Sequence, residues 1–337
     1  MRAIYGNQQV QARLERAALG DAVSHAWLLT GPAGIGKTSL AIEFARLLQC
    51  TGRDAASGEP CGACASCRKI AHGNHPDVTL IEPVKGKRTL SVEQVRDMIR
   101  LASLAPTEGR WRIFIIPEIE RMLLPAMNSL LKTLEEPAPQ VLLLLTSSEP
   151  ETLLPTVLSR CQVVPMSPLT PDEVARVLIE QRQVPEEDAR ALAMLANGRP
   201  GWALRAAEKP DLREQRIHEL EEIAALATAP RDERLRRVGP FGKDVESARR
   251  VLELWTLWWR DVVLAAGGAR HLATTGDLRA QAERLGARLG LELAQRFLRA
   301  LVDAQVALEA NANPRLTLEV LALDLPAVPA QIRGGSR

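Results

Sequence analysis

One stretch of the chain has the residue types and the spacing of a phosphate-binding loop. Residues 31–38 read Gly-Pro-Ala-Gly-Ile-Gly-Lys-Thr, which fits the pattern G-x-x-x-x-G-K-[ST]. In such a loop the backbone N–H groups surround an anion, the lysine reaches the β- and γ-phosphates, and the threonine hydroxyl ligates Mg²⁺. We therefore expect ATP or ADP with Mg²⁺ as the ligand, against the alternative of a chance glycine-rich turn. The candidate binding residues are Gly31, Gly34, Gly36, Lys37 and Thr38.

Four cysteines form a second candidate site, with the spacing C-x10-C-x2-C-x2-C. They are Cys50, Cys61, Cys64 and Cys67. Two-residue gaps let neighbouring thiolates converge on one ion, and four sulfurs suit tetrahedral Zn²⁺ with no open position for water, so the predicted site is structural. Such a metal can supply about 10–16 kcal/mol of folding free energy in a small module. The alternatives are cysteines that are merely buried, or a redox C-x-x-C pair, and the tripled motif favours zinc.

The strand predicted at 112–116 is where a P-loop nucleotide hydrolase would carry its two Walker B carboxylates. Here the first of those positions is Pro117, which has no side-chain oxygen for Mg²⁺. Glu118 occupies the second position, that of a water-polarising base. The side chain of Glu120, two residues after Glu118, is expected to point in another direction from the strand end than a Walker B carboxylate does. Hydrolysis of ATP by this chain alone is therefore expected to be weak or absent.

Arg160, in the segment Ser-Arg-Cys at 159–161, has two readings. It could be an ordinary surface ion-pair partner. It could also be an arginine finger, a planar cation that stabilises charge on a phosphate. The residues alone leave both readings open, and the adjacent Cys161 is predicted to be a small buried apolar residue.

Strands that alternate with helices must position these residues. From its apolar pattern, the chain is predicted to form helix 8–19, strand 26–30, helix 37–50, strand 78–81, helix 91–104, strand 112–116, helix 125–135 and strand 141–146. This order favours a parallel sheet covered on both faces, with the ligand beyond the carboxyl ends of the strands. Helical patterns follow over 168–207 and 211–325, with breaks at Gly239-Pro240 and Gly267-Gly268.

The composition is that of a globular protein, because 46% of the 337 residues are hydrophobic and 25% are charged. No apolar run approaches the length of a membrane span, and residues 1–5 begin no signal-peptide core. We therefore expect a cytoplasmic protein with no membrane partner. The net charge of +2 gives no strong indication of nucleic-acid binding. Five cysteines in a cytoplasmic chain favour metal binding or burial over disulfides.

Four further segments point to a family. They are 73–77 (Gly-Asn-His-Pro-Asp), 128–137 (Asn-Ser-Leu-Leu-Lys-Thr-Leu-Glu-Glu-Pro), 159–161 and 311–319 (Asn-Ala-Asn-Pro-Arg-Leu-Thr-Leu-Glu). Together with the cysteine-rich insertion, they resemble the delta-prime subunits of bacterial DNA polymerase III over residues 1–325. These are AAA+ clamp-loader subunits. Members of the family sit in a ring-like pentamer with gamma/tau and delta subunits and help to load the sliding clamp onto primed DNA.

The resemblance implies an α/β then all-α fold. It implies an AAA+ P-loop domain over 1–167 with a zinc module at 50–67, and a small helical lid domain over 168–208. A C-terminal helical collar domain over 209–325 would pack against the equivalent domains of other subunits. The tail, 326–337, is expected to be frayed.

The resemblance also implies roles for the matched positions. Arg160 would act in trans, on ATP held by a neighbouring gamma/tau subunit. Ser147 and Ser148 would lie at the sensor-1 position. The sensor-2 arginine of active relatives falls on Gly201, and Arg199 is a weak substitute two residues away. Many members have a degenerate P-loop, so the intact loop here departs from the family and keeps nucleotide binding open.

Two sets of residues have both a structural and a functional reading. One helix face carries Trp255, Trp258 and Trp259, for which core packing is favoured over an interface. Another carries Arg96 and Arg100, where a solvated basic face is the default and a sequence-independent DNA-backbone contact the alternative. Three basic residues precede that second helix: Lys85, Lys87 and Arg88.

Three functions compete. The first is a clamp-loader component of the DNA polymerase III holoenzyme that supplies Arg160 to its neighbour. The second is an active, gamma/tau-like AAA+ ATPase that hydrolyses its own ATP. The third is a zinc-bearing DNA-binding module that holds nucleotide only as a structural ligand. Pro117 and Gly201 disfavour the second function and the near-neutral charge disfavours the third, so we predict the first.

Overall fold

The computed structural model of the protein describes residues 4–20, 23–53, 59–84, 86–87, 89–273 and 278–326. Lys85, Arg88 and the tail beyond residue 326 lie outside the described residues. The chain forms two compact units. One comprises Met1–Arg182 with Gly198–Trp202, and the other comprises Gln183–Asn197 with Ala203–Arg337. The separate lid domain over 168–208 and the collar boundary stay predictions.

A parallel sheet is the centre of the first unit. In the described part of the chain it has five strands: β1 (Ala26–Thr30), β2 (Val78–Leu80), β3 (Arg112–Ile116), β4 (Val141–Ser147) and β5 (Gln162–Pro165). Their order across the sheet is β2-β3-β4-β1-β5, and every pair is parallel. The edge strand β5 is not among the predicted elements, because only Val164 of its four residues is buried and it has no apolar run.

Helices cover both faces of this sheet. Those of the first unit are α1 (Gln8–Leu19), α2 (Lys37–Gln49), α3 (Ala65–Ala71), α4 (Val92–Ala102), α5 (Leu124–Glu135), α6 (Pro155–Leu158) and α7 (Pro171–Arg182). Successive strand residues point to opposite faces, so Leu28 packs in the layer with α4 and α5 while Leu29 packs in the layer with α1 and α2. A capping box between Ser91 and Gln94 begins α4, as predicted.

The second unit is helical. Its helices are α8 (Glu186–Ala196), α9 (Pro200–Glu208), α10 (Pro210–Leu226), α11 (Arg231–Val238), α12 (Val245–Ala266), α13 (Arg279–Glu309) and α14 (Pro314–Asp324). The part of α9 that belongs to this unit begins at Ala203. Helix α13 is interrupted at Gly290, whose backbone is not helical. The three tryptophans of α12 are at most 1% exposed, and Phe297 packs 4.5 Å from Trp259 between ring centroids. Core packing of these tryptophans is therefore confirmed.

The predicted α/β then all-α organisation is confirmed, with a parallel sheet that carries the glycine-rich loop and with a cysteine-bearing insertion. Within the described ranges, every helix is too short or too polar to act as a transmembrane segment.

Candidate nucleotide site, arginine finger and metal centre

The phosphate-binding loop connects the carboxyl end of β1 to the first turn of α2. Gly31 must be glycine, because a Cβ atom there would lie 2.5 Å from the carbonyl oxygen of Met166 and the backbone has a φ of +137°. The loop borders a cavity of about 320 Å³ at the carboxyl ends of the strands. This cavity brings together most of the predicted nucleotide-binding residues, namely Gly34, Gly36, Lys37 and Thr38.

Lys37 is buried and is held by the loop itself. Its Nζ donates hydrogen bonds to the carbonyl oxygens of Gly31 at 2.6 Å and Pro32 at 2.9 Å, and to Ser148 Oγ at 3.0 Å. Burial lowers the pKa of Lys37 to about 8, and the charges of two nearby glutamates offset this only in part. A bound phosphate would supply the missing negative charge, so the geometry and the chemistry of the loop fit a nucleotide.

The position of the first Walker B carboxylate is occupied by a side chain without oxygen. Pro117 and Glu118 both line the cavity beside the loop. Glu118 has a φ of +48°, its N–H donates to Thr146 Oγ1 at 3.0 Å, and its carboxylate pairs with Arg121 at 2.8 Å. The structure therefore keeps Glu118 at the site where a base would stand, paired with an arginine.

Glu120 lies closer to the loop lysine than sequence reasoning anticipated. A 3₁₀ turn at Ile119–Arg121 reverses the chain directly after Glu118. As a result, Glu120 Oε1 accepts a hydrogen bond from the Ser148 N–H at 2.8 Å, and its charge favours the protonated form of Lys37. Glu120 thus holds the backbone at Ser148 and partly compensates the charge of Lys37.

The segment at the predicted sensor-2 position packs on the phosphate-binding loop. The Gly201 N–H donates to the carbonyl oxygen of Gly34 at 2.9 Å, and a Cβ on Gly201 would lie 3.0 Å from that oxygen. A side chain at position 201 would therefore crowd the phosphate-binding loop. Arg199 lies beside Gly34, and its charge contributes to the low pKa of Lys37. Arg199 is therefore nearer to the phosphate position than its sequence offset suggests.

Two cavity-lining residues were missed by sequence reasoning. Glu82 follows β2 and Thr146 lies near the end of β4. The place of both residues beside the cavity could have been predicted, because the carboxyl ends of parallel strands meet at one edge of a sheet.

Arg160 lies at the opposite end of the same sheet. It connects α6 to the start of β5, and Gln162 at that start pairs with Trp27 near the start of β1. The five-residue strand β1 spans about 16 Å, so Arg160 and the phosphate-binding loop of one chain are separated by the full length of the sheet. Arg160 Nη1 donates to the Thr156 carbonyl oxygen at 3.0 Å, and Nη2 pairs with Glu135 at 2.9 Å. Its side chain is 33% exposed, beside an open cavity of about 620 Å³.

The four cysteines converge at the end of α2. One ligand atom from each, the Sγ of Cys50, Cys61, Cys64 and Cys67, lies within 4.8 Å of every other. In a tetrahedral zinc site with a Zn–S distance of about 2.3 Å, sulfurs are about 3.8 Å apart. The cluster can therefore hold a metal such as zinc, with Cys50 directly after α2 and Cys64 capping the helix α3.

Backbone donors prepare these sulfurs for the thiolate form. The N–H groups of Cys61, Cys64 and Cys67 donate to the preceding cysteine sulfur in the series at 3.3–3.4 Å. Burial raises the pKa of Cys64, but the N–H donors outweigh it and lower the pKa to about 5. Burial and the neighbouring thiols raise the pKa of Cys67 to about 12. A cation would be needed to ionise all four thiols together.

The motif at 73–77 has a structural role. Asp77 is fully buried and accepts hydrogen bonds from the N–H groups of Thr107, Glu108 and Gly109 at 2.7–2.8 Å. Its carboxylate also pairs with Arg112 at 3.3 Å. Burial alone raises the pKa of Asp77, but these donors and the guanidinium outweigh it and keep the pKa below its usual value. Asp77 thus anchors the loop before β3 at the amino end of the sheet.

Comparison with known proteins gives one family match and several related proteins. Residues 6–170 match the family model described as "DNA polymerase III, delta subunit". The chain is 40% identical to the DNA polymerase III subunit delta' of Pseudomonas aeruginosa, covering 60% of this chain and 61% of that protein. It is 37% identical to the subunit delta' of Bacillus subtilis, over 52% of each chain. The Bacillus subtilis subunit tau is 34% identical, over 58% of this chain and 35% of that protein.

These matches span about three fifths or less of the curated relatives' length. Among solved structures, a DNA polymerase III gamma subunit-related protein from Thermotoga maritima gives a TM-score of 0.42 at 17% identity. That alignment covers 94% of this chain and 98% of the other. A likeness of this size supports no conclusion about function.

Proposed function

We propose that this chain, which matches the DNA polymerase III delta-subunit family model over residues 6–170 and is similar to subunits delta', acts as a delta-prime-like clamp-loader subunit. In this role it assembles with gamma/tau and delta subunits and helps to load the sliding clamp onto primed DNA. Its own contribution to ATP hydrolysis is Arg160, which reaches the ATP of a neighbouring gamma/tau subunit.

The placement of Arg160 is the observation that carries this proposal. The guanidinium lies at the amino end of the sheet. The length of strand β1, about 16 Å, separates that end from the chain's own phosphate-binding loop. It is partly exposed, and its Nη1 is fixed by the carbonyl of Thr156. A cation that is held rigidly and faces away from its own nucleotide site is suited to a phosphate on another chain.

The chain's own nucleotide site is proposed to bind ATP or ADP without appreciable turnover. Lys37 would contact the phosphates and Thr38 would ligate Mg²⁺, while Pro117 offers the metal no ligand. The four cysteines would hold Zn²⁺ as a structural ion that ties the insertion to the end of α2. The loop residues would bind the nucleotide and the metal would order the insertion. None of these groups completes a hydrolytic site.

An assembly reconstituted with gamma/tau and delta subunits tests the proposal. Arg160→Ala should leave the fold unchanged and reduce ATP hydrolysis and clamp loading. Single arginine fingers are worth about 10³–10⁵ in rate, although one finger among several ATP sites gives a smaller total effect. Arg160→Lys should restore little, because an ammonium ion lacks the planar fork.

An exposed arginine provides the matched control. Arg16 on α1 donates from its Nε to the Ala12 carbonyl oxygen of its own helix, and Arg16→Ala should keep full activity. Clamp loading that is unchanged by Arg160→Ala would remove this residue from the mechanism.

Hydrolysis by the chain itself is the second candidate function, because Glu118 lines the cavity next to an intact loop. It predicts ATP turnover by the purified chain that Glu118→Gln abolishes. The proposal predicts no measurable turnover in either form.

Contact between the α4 arginines and DNA stays a hypothesis. Arg96 and Arg100 are both exposed, and Arg100 pairs loosely with Asp97 at 3.4 Å.

A further inference from the structure

The ion-pair partner of Arg160 comes from a different helix. Glu135 is the last residue of α5, whereas Arg160 follows α6, which packs against α5. The Nη2 atom of Arg160 lies 2.9 Å from Oε1 of Glu135. Both side chains border the open cavity of about 620 Å³ at the amino end of the sheet. The charge of Arg160 is therefore balanced by a carboxylate that another element supplies.

The contacts that Arg160 makes within its own segment hold one side of the guanidinium. Nη1 donates hydrogen bonds to the Thr156 carbonyl oxygen at 3.0 Å and to Ser159 Oγ at 3.2 Å. These contacts alone leave the planar group able to turn about Nη1. The pair with Glu135 adds a second point of attachment, at Nη2. Two points on one rigid plane restrict its direction more than one point does.

The same arrangement leaves part of the guanidinium open to a ligand. Within the described residues, the Nε atom of Arg160 makes no hydrogen bond. The side chain of Arg160 is 33% exposed and that of Glu135 is 48% exposed. A guanidinium presents several N–H donors in a fixed fork, so it can pair with a carboxylate and still donate to a phosphate oxygen. The pair with Glu135 therefore orients Arg160 without enclosing it.

We propose that Glu135 is a positioning residue for Arg160, whose carboxylate holds the guanidinium in the orientation that meets the phosphate of a neighbouring subunit's ATP. This inference rests on the proposed function of Arg160 and deepens it. An exposed ion pair contributes little to folding, so the role of Glu135 lies in orientation. A group that is already in place loses less freedom when the transition state forms, which lowers the barrier.

ATP hydrolysis by the assembly with gamma/tau and delta subunits tests this role. Glu135→Gln keeps the size of the side chain and removes its charge. It should lower kcat by about 3–10-fold, because a misplacement of about 1 Å can cost up to about 100-fold. The KM for ATP should stay within about twofold, because the neighbour's own loop binds the nucleotide and Arg160 acts mainly in the transition state.

The next residue provides the matched control. Glu136 is exposed and lines the same cavity, and its carboxylate forms no ion pair within the described residues. Glu136→Gln removes the same charge from the same cavity, and kcat should stay within about twofold of the wild type, as unpaired surface charges contribute little.

The double variant Glu135→Gln/Arg160→Ala separates orientation from a general loss of structure. If the carboxylate acts only through Arg160, the double variant should have the kcat of Arg160→Ala, whereas a structural defect would add a further loss. The amount of assembled complex, measured by size-exclusion chromatography, should be the same for every variant.

Three results would contradict the inference in distinguishable ways. An unchanged kcat in Glu135→Gln, beside a reduced kcat in Arg160→Ala, would refute the role of Glu135 and leave the proposed function standing. A higher kcat in Glu135→Gln would show that the carboxylate blocks Arg160 instead of orienting it. An unchanged kcat in Arg160→Ala would refute the proposed function and this inference with it.

Discussion

The two ends of the parallel sheet differ in the groups that they carry and in the role that we propose for each. At the carboxyl end, the loop with Lys37 and Thr38 can surround a nucleotide, but Pro117 stands where a metal-binding carboxylate is needed. At the amino end there is no such cradle in the described residues, and Arg160 is half-exposed next to an open cavity. In the proposed function, the carboxyl end binds a nucleotide and the amino end acts on the nucleotide of a neighbouring subunit.

If both proposed roles hold, nucleotide binding and the catalytic arginine occupy separate ends of one sheet. The loop depends on glycine conformation and on buried hydrogen bonds, which survive the loss of a carboxylate. The arginine depends on a rigid attachment and on access from outside. A substitution at one end of the sheet should therefore leave the other end unchanged.

The largest effect is expected at the amino end, from loss of its buried anchor. Asp77→Ala removes the acceptor of three backbone N–H groups and the partner of Arg112. Breaking such a buried pair should lower the free energy of unfolding by about 3–5 kcal/mol, measured by urea denaturation.

Asp77→Asn keeps one acceptor oxygen and should cost less. Because its pKa is depressed in the folded state, Asp77 contributes stability above its ordinary pKa, and that contribution is lost as the pH falls through the folded value. An Asp77→Ala protein as stable as the wild type would show that this end is not held by the carboxylate.

At the carboxyl end, Lys37→Met should weaken ADP binding by the isolated chain. Loss of one charge-assisted contact costs about 1.5–3 kcal/mol, or about 10–150-fold in Kd, measured by calorimetry. Zinc content should stay the same, because the cysteines lie at the other end of α2. Unchanged ADP affinity would mean that the loop does not hold phosphate.

A carboxylate at position 117 should strengthen Mg²⁺ binding at the carboxyl end of the sheet. Pro117→Asp provides an oxygen ligand for Mg²⁺ and should make ADP affinity more dependent on Mg²⁺, by about 5–30-fold for a gain of about 1–2 kcal/mol. Pro117→Asn is the control, with similar size and no charge. An equal Mg²⁺ response in the wild type and Pro117→Asp would show that the proline is not what limits metal binding.

The smallest effect is a pH dependence. The pKa of Lys37 is about 8 without a phosphate, and a bound anion raises it. ADP affinity should therefore be constant below pH 8 and fall above it, by at most about tenfold per pH unit. Lys37→Met should lack this dependence, whereas a slope that persists in Lys37→Met would have to come from another group.

Much of the first unit could be predicted, because its signals are local. The strand β1, the loop and α2 follow from an apolar run, three glycines and helical periodicity, and the capping box at Ser91 and Gln94 fixed the start of α4. The four cysteines were visible from their spacing alone. Elements without such a pattern were missed: β5 is exposed at the sheet edge, and α3 has seven residues with few apolar ones.

Side-chain neighbours distant in sequence could not be predicted. The turn at Ile119–Arg121 brings Glu120 to Ser148, against the expectation that it would point elsewhere. The break of α13 at Gly290 was also unforeseen, since glycine occurs inside helices without interrupting them. In each case the backbone departs at a residue of positive φ, Glu118 at 48° and Gly290 at 74°, and residue type alone does not decide where a chain adopts that conformation.

By itself, the sequence determined which chemical groups this protein has: a loop for phosphate, a proline in place of a carboxylate, four thiols and one arginine in a family motif. These chemical groups depend on residue type and spacing, and both can be read from the sequence. Only the tertiary structure decided that Arg160 and Lys37 lie at opposite ends of one sheet, and that Glu120 accepts a hydrogen bond from the Ser148 N–H. Such relations follow from strand order and helix packing, because contacts between distant segments form only when the whole core is assembled.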